Sequence, residues 1–209
     1  MAEALDNDNY QSPFDLIDFS PPLRLLADWV NEAKELGLPN PDAMNLATVD
    51  KDGNPHNRMV LMRHINDTEI GFFTNLESRK ARDIFACGRT SSTLWWPKLG
   101  RQVRVEGSAA EMDREMVDSY FANRPRNSKI AAWSSKQSRE LESMDKLHQV
   151  FDGFSHKFSD ETVPTPPFWG GFIITVDKIE YWLSREFRLH DRVILCKAGD
   201  NWTHRRIYP

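Results

Sequence analysis

The 209-residue chain predicts a mainly β domain, an antiparallel barrel with helices at its periphery. Three observations carry this expectation. About eight short segments rich in β-branched and aromatic residues fall in two blocks, residues 45–109 and 171–207. Helical periodicity is confined to stretches before and between those blocks. Strands and helices do not alternate as βαβ units, which argues against a doubly wound parallel sheet.

Taken in order, residues 1–19 show little periodicity and read as an N-terminal arm or a disordered lead. Residues 20–209 read as one domain. Ser20 offers an N-cap and Pro21 a first helical position; Leu25, Leu26, Trp29, Val30, Ala33 and Leu36 follow at helical spacing until Gly37 and Pro39. Asn45–Val49 and Asn57–His64 flank Asp52-Gly53, a hairpin signal. Ile70–Thr74 is a third strand, and a short helix starting near Ser78 carries Ile84 and Phe85. Ser91–Trp96 and Arg101–Ala109 come next, the latter with Val103 and Val105 on one face and Gln102 and Arg104 on the other. A helical insertion spans about 111–160. Met112, Met116, Tyr120 and Phe121 mark one helix, closed by Arg124-Pro125; Leu141, Met144, Leu147, Phe151, Phe154 and Phe158 mark a longer one. Strands return at Gly171–Val176, Lys178–Leu183, Arg192–Lys197 and Trp202–Ile207.

Composition narrows the class. Hydrophobic residues make up 40% and charged residues 28%, an ordinary balance for a soluble domain. No apolar run reaches the roughly 18–20 residues that span a bilayer, and the acidic N-terminus has no signal pattern. Cys87 and Cys196 have no metal-ligand spacing, so a cytoplasmic protein with free thiols is expected. The net charge of −4 is uneven: residues 78–104 hold seven bases against the single acid Asp83. In a chain of pI about 5.9 this cluster points to a local anion pocket rather than to nucleic acid.

No glycine-rich phosphate loop is present, so side chains must hold any nucleotide-like ligand. Arg58 and Arg63 bracket Met59, Val60, Leu61 and Met62. On a regular strand their odd separation puts them on opposite faces, so either the strand is bulged, the two serve different groups, or one is simply solvated. Ser78-Arg79-Lys80 fits both an anion site at a helix start and an ordinary capped helix. Gln102 carries the donor and acceptor that a heterocycle edge needs. Gln137-Ser138 precedes the longer helix, with Ser138 a candidate N-cap. Tyr120, Arg124 and Ser128, spaced by four, form a second small anion site, or Arg124 is a plain helix-terminal cation. Near Glu180-Tyr181-Trp182, the residues Arg188, His190 and Arg192 alternate. On a strand they share a face, and either an anion sits among them or Glu186 and Asp191 pair with them.

In this order and spacing these runs resemble pyridoxamine 5′-phosphate oxidases, the flavin enzymes of vitamin B6 metabolism. The likeness runs from about Pro22 to Pro209. It includes Asn40-Pro41-Asp42-Ala43-Met44, Arg58 through Arg63, Phe72-Phe73-Thr74-Asn75, Ser78-Arg79-Lys80, Arg101-Gln102-Val103, Tyr120-Phe121, Arg124-Pro125, Ala132-Trp133, Gln137-Ser138, Trp169-Gly170-Gly171, Glu180-Tyr181-Trp182, Arg188 through Arg192 and the closing Arg206-Ile207-Tyr208-Pro209.

The resemblance implies an FMN-binding split β-barrel, antiparallel and Greek-key-like, working as a homodimer with FMN at the interface. It implies that Arg58, Met59, Val60, Leu61, Arg63, Phe73, Thr74, Ser78, Arg79 and Lys80 serve the ribityl-phosphate side. Gln102, Gln137, Ser138, Trp182 and Arg192 complete the flavin site. Arg63, Tyr120, Arg124 and Ser128 grip the substrate phosphate, and Arg188 and His190 lie beside the reacting carbon as the catalytic pair. The implied reaction takes a hydride from C4′ of pyridoxine or pyridoxamine 5′-phosphate to flavin N5, with O2 reoxidising the flavin to give H2O2 and pyridoxal 5′-phosphate. Arg63 replaces the family's usual lysine, a planar fork for a point charge. Ala131 replaces a glycine, and the arm lacks an Arg-x-x-Tyr stretch. Competing expectations are a same-fold flavin oxidase acting on a reduced phenazine precursor, and a non-catalytic flavin or pyridoxal-phosphate binder.

Overall fold

A computed structural model describes residues 11–209 of the chain. Its nine strands form one sheet in which every pairing is antiparallel. The elements run α1 (Arg24–Glu35), β1 (Ala43–Val49), β2 (Pro55–Leu61), β3 (His64–Ile65), β4 (Glu69–Asn75), α2 (Arg79–Cys87), β5 (Arg89–Trp96), β6 (Arg101–Glu111), α3 (Arg114–Ala122), α4 (Arg126–Ser134), α5 (Met144–Lys157), β7 (Trp169–Leu183), β8 (Asp191–Ala198) and β9 (Asn201–Arg206). Among the described residues no helix is long and apolar enough to cross a membrane.

The strand order β2-β1-β5-β6-β7-β4-β3 forces the sheet to curl. β2 and β3 lie at opposite ends of this path, yet only Met62 and Arg63 separate them in sequence. The three steps from Leu61 to His64 reach at most about 11 Å, so the two ends must come together. The link is stitched on both sides: Met62 N–H donates to the Asp42 carbonyl, and Arg63 N–H to that of Gly71.

β7 is the spine of the sheet. One edge pairs with β6 along most of its length, and the other pairs first with β4 and then with β8. The sequence suggests two strands here; the structure has one, with a bulge where the register shifts between Glu106 and Gly107. Gly107 permits it, because a Cβ there would lie 2.3 Å from the Thr175 carbonyl oxygen.

The barrel core takes Leu26, Trp29, Val30 and Ala33 from α1 together with Leu46, Phe72, Leu94, Val103, Val105 and Tyr181 from the sheet. The Tyr181 hydroxyl is buried and donates to the Pro22 carbonyl at 2.7 Å. A second cluster, including Val117, Phe121, Ile130 and Trp169, holds the helical insertion against the end of β7.

Several expectations need correction. α1 begins at Arg24 and Leu23 stands at its cap, so Ser20 and Pro21 lie a turn upstream. The insertion holds three helices, because Arg126–Ser134 forms α4. α5 is capped by Ser143, not Ser138. Val117 and Phe121 form the buried face of α3, while Met116 is exposed. From sequence, residues 1–19 read as an arm or a disordered lead. Its residues 1–10 lie outside the described part of the chain; in residues 11–19, Phe14 and Phe19 are buried, Ser12 donates to Asp191, and Asp15 pairs with Arg206. The apolar pair Phe14 and Phe19 anchors this segment on the core, and its lack of periodicity hid that.

Gly107→Ala is expected to cost about 1–3 kcal/mol of stability through backbone crowding at the bulge. Urea unfolding checks this; an unchanged midpoint would show that the bulge has room for a side chain.

Candidate functional site

The site grows from the β2 edge of the sheet and the start of α2. Among the described residues β2 pairs with β1 alone, so one row of its peptide groups has no strand partner there. Beside it lies a cavity of about 930 Å³ lined by residues that include Arg58, Met59, Val60, Leu61, Arg63, Phe73, Thr74, Lys80, Tyr120, Arg124, Ser128 and Gln137. A smaller one of about 450 Å³ is lined by Pro55, His56, Asn57, Arg58, Arg79, Lys80 and Ser138. Arg58 and Lys80 line both.

Arg58 and Arg63 therefore serve one cavity. β2 ends at Leu61 and the chain turns toward β3, so strand alternation does not extend to Arg63. Arg58 Nη1 donates to the Thr48 hydroxyl at 2.7 Å and to the Leu46 carbonyl at 3.3 Å. Arg63 pairs with the buried carboxylate of Asp42. Half of its charge-bearing fork is thus committed to the protein.

Ser78 caps α2, its hydroxyl accepting from Ala81 N–H. It is fully buried and lines neither cavity, so the structure gives it the capping role. Lys80, in the first turn, is folded inward. Its Nζ donates to Gln137 Oε1 at 2.8 Å, Thr74 Oγ1 at 3.0 Å and Ser78 Oγ at 3.4 Å. These are neutral oxygens, and among the described residues no carboxylate pairs with it. Burial first, and then the Arg58 guanidinium, pull its pKa down to about 8. Gln137-Ser138 is a hook in the loop between α4 and α5, with Ser138 Oγ accepting from Arg79 N–H at 3.2 Å.

A stacked aromatic wall closes the cavity's other side. The Phe73 ring lies 3.9 Å from Tyr120 and 5.3 Å from Trp169. The Arg124 guanidinium sits 4.7 Å over the Trp169 ring, and its buried Nη1 has no hydrogen-bond partner. Burial holds its pKa below the usual arginine value, with Tyr120 opposing that shift. A partnerless buried guanidinium N–H at the wall of a cavity suits an anion.

Gln102, Trp182, Arg188, His190 and Arg192 are not brought to this cavity. Trp169 and Trp182 stand near opposite ends of β7, thirteen residues apart, or roughly 40 Å along the strand. Nor do Arg188, His190 and Arg192 share a strand face: only Arg192 lies in β8, and Arg188 sits in a short 3₁₀ turn with φ 62°, beside Phe187 with φ 54°. Arg192 binds the Glu180 carboxylate at 2.8 Å, and the His190 ring lies 4.5 Å from that of Trp182. His190 and Arg192 line a separate cavity of about 330 Å³ near the C-terminus.

The sequence reading left out Asp42, Asp83, His56 and Trp169 as site residues. Asp83 had left a signal as the lone acid among seven bases, and Trp169 stood in a quoted motif without a role.

Residues 30–155 match the family model described as pyridoxamine 5′-phosphate oxidase, and residues 169–209 match the one described as pyridoxine 5′-phosphate oxidase C-terminal dimerisation region. The chain is 42% identical over 188 residues to the pyridoxine/pyridoxamine 5′-phosphate oxidase of Rubrobacter xylanophilus, covering 90% of this chain and 87% of that one. It is 44% identical over 182 residues to that of Pseudoalteromonas atlantica, covering 87% and 85%. Among solved structures it is similar to PhzG from Burkholderia lata 383 in complex with tetrahydrophenazine-1-carboxylic acid, at a TM-score of 0.89 and 26% identity over 97% and 98% of the two chains.

An anion bound beside Lys80 favours its charged form, so above pH 8 binding draws in a proton. Affinity for a phosphomonoester such as FMN should therefore fall as pH rises from 7 to 9, at up to about tenfold per pH unit. Lys80→Met should bind weakly and flatten that dependence. Titrations across this range check it, and an equally steep fall in the variant would place the proton elsewhere.

Proposed function

The chain belongs to the pyridoxamine 5′-phosphate oxidase family, and we propose that it oxidises pyridoxine 5′-phosphate or pyridoxamine 5′-phosphate to pyridoxal 5′-phosphate. FMN is the cofactor and O2 the final acceptor, with H2O2 as co-product; the amine substrate also consumes one water and releases ammonia, by hydrolysis of the imine that oxidation leaves. One observation carries this reading: a single large cavity is lined by Arg58 and Lys80 and also by Arg124, whose buried Nη1 has no hydrogen-bond partner among the described residues. Two separated cationic stations suit two phosphomonoesters, one on the cofactor and one on the substrate.

The residues fit FMN. Arg58, Arg79 and Lys80 would take its phosphate, and the unpaired peptide edge of Met59, Val60 and Leu61 offers donors and acceptors to a heterocycle. Thr74, Gln137 and Ser138 hold this end in place. Arg63, Tyr120, Arg124 and Ser128 would take the substrate phosphate. When bound, the flavin supplies a two-electron acceptor for the C4′ hydride and delivers those electrons to O2. The protein's own part is to align substrate and cofactor and to exclude water.

The remote group completes the site from a second copy of the chain. Trp182 at the far end of β7, Gln102 paired with it on β6, and Arg188, His190 and Arg192 just beyond β7 line no part of their own chain's large cavity. All but Gln102 fall in residues 169–209, the stretch matched to a dimerisation region. In a two-fold dimer each copy gives its remote group to the other's cavity. Two consecutive residues in the left-handed region aim Arg188 off the end of the sheet, a costly backbone arrangement of the kind found at functional sites. Arg188 then lies beside C4′ and positions or polarises the reacting alcohol or amine, while His190, packed on Trp182, sets the ring's position.

The purified protein should be yellow, bleach on anaerobic addition of pyridoxine or pyridoxamine 5′-phosphate, and recover in air. A flavin spectrum that neither compound bleaches would sink the oxidase assignment; bleaching by a reduced phenazine carboxylate alone would move the chain toward the chemistry of its Burkholderia relative. Arg188→Leu should retain FMN and lose most turnover. Arg124→Ala should raise KM for the phosphorylated substrate by about tenfold or more, since it removes a charge-assisted bond, and leave FMN affinity unchanged. Parallel loss of flavin in either variant would contradict its assigned place.

A further inference from the structure

We propose that Asp83 and Thr48 are positioning residues for anion binding, and that His56 is a further anion ligand beside them; this rests on the FMN reading of the site. Asp83 lies on α2, one turn beyond the two cations of the helix start, and is buried. Its Oδ2 accepts from the Thr48 hydroxyl at 2.7 Å, meets His56 Nδ1 at 3.0 Å and stands 3.7 Å from Arg58 Nη2. The Thr48 hydroxyl in turn accepts from Arg58 Nη1 at 2.7 Å. One carboxylate and one hydroxyl thus grip both ends of the Arg58 fork and the back of the His56 ring. The forward side of both residues lines the smaller cavity, with Arg79 and Lys80.

This arrangement answers a physical difficulty. Arg58, Arg79 and Lys80 repel one another: burial first, and then Arg79, lower the Arg58 pKa against the opposing pull of Asp83, and Arg58 adds to the burial that lowers that of Lys80. Left alone, a flexible arginine beside two cations would swing to solvent. Fixed from behind by a buried carboxylate, it is held in place before the anion arrives, which reduces the ordering cost of binding. His56, held at Nδ1 by the same oxygen, lines the same cavity and leaves Nε2 as the nitrogen that would meet an anion.

The sign of one substitution separates this role from simple charge balance. Asp83→Asn removes a negative charge near the site. If Asp83 merely offsets positive charge, the variant binds FMN more tightly. If it orients Arg58 and His56, the variant binds FMN more weakly, on the order of tenfold. Riboflavin, which lacks the phosphate, is the control. The expected result is that Asp83→Asn and Thr48→Val each lower FMN affinity with little effect on riboflavin, while Thr48→Ser, which keeps the hydroxyl, restores it. His56→Phe should give a smaller loss of the same phosphate-dependent kind. FMN binding in Asp83→Asn and Thr48→Val that is unchanged or tighter, or equal losses for both flavins, would overturn the proposal. A wild-type chain with no preference for FMN over riboflavin would instead overturn the placement of the phosphate, and the proposal with it.

Discussion

Burying the ammonium of Lys80 without a carboxylate is the constraint on which the site depends. Its three hydrogen bonds end on neutral oxygens, and another cation, Arg58, acts against its charge. Such a group is expensive to bury unless an anion completes it. The structures around it are arranged to hold that incomplete state. α2 is capped at Ser78 so that its first turn faces the cavity, and Gln137 and Ser138 return from far along the chain to tie it down. Asp83 and Thr48 brace Arg58 from behind. The helix start adds its own positive end to the cations.

A second constraint is topological. β7 carries an aromatic wall residue at one end and the Trp182 group at the other, and no bending of a paired strand folds one end onto the other. A molecule built this way separates what holds the ligands from what acts on them. In the proposed dimer, two-fold symmetry reunites the parts, so cavity and catalytic turn can each be rigid. The left-handed Phe187-Arg188 pair makes sense in the same terms: its strain is maintained by the hydrogen bonds and ring contacts of the surrounding turn, and it directs Arg188 outward.

The architecture was legible from short-range patterns. Alternation in Arg101–Ala109 and the Asp52-Gly53 turn gave strands close to those found, and Ser78 marked a true helix cap. The cavity's cations were legible too, because runs such as Arg58–Arg63 and Ser78–Lys80 are unusual in themselves. What failed were inferences that needed tertiary context. α4 was missed because Arg126–Ser134 has a weak apolar stripe and buries only Ile130 and Ser134. The single long β7 was split because a bulge interrupts its period. Alternation misread Arg188–Arg192, since strand geometry starts only at Asp191. Asp83 and Asp42 were invisible as partners because their contacts join residues far apart in sequence.

The central claim is that each cavity is completed by a second copy of the chain. Mixing Arg124→Ala protein with Arg188→Leu protein under conditions that exchange subunits, assayed at substrate far below the KM so that both parents are nearly inactive, tests it most directly. If the two residues meet across the interface, mixed dimers hold one intact site and one doubly altered site, and activity recovers to about a quarter of wild type at random exchange. If the mixture stays as inactive as its components while the subunits demonstrably exchange, Arg124 and Arg188 of the same chain serve the same site, and the split-site account is wrong.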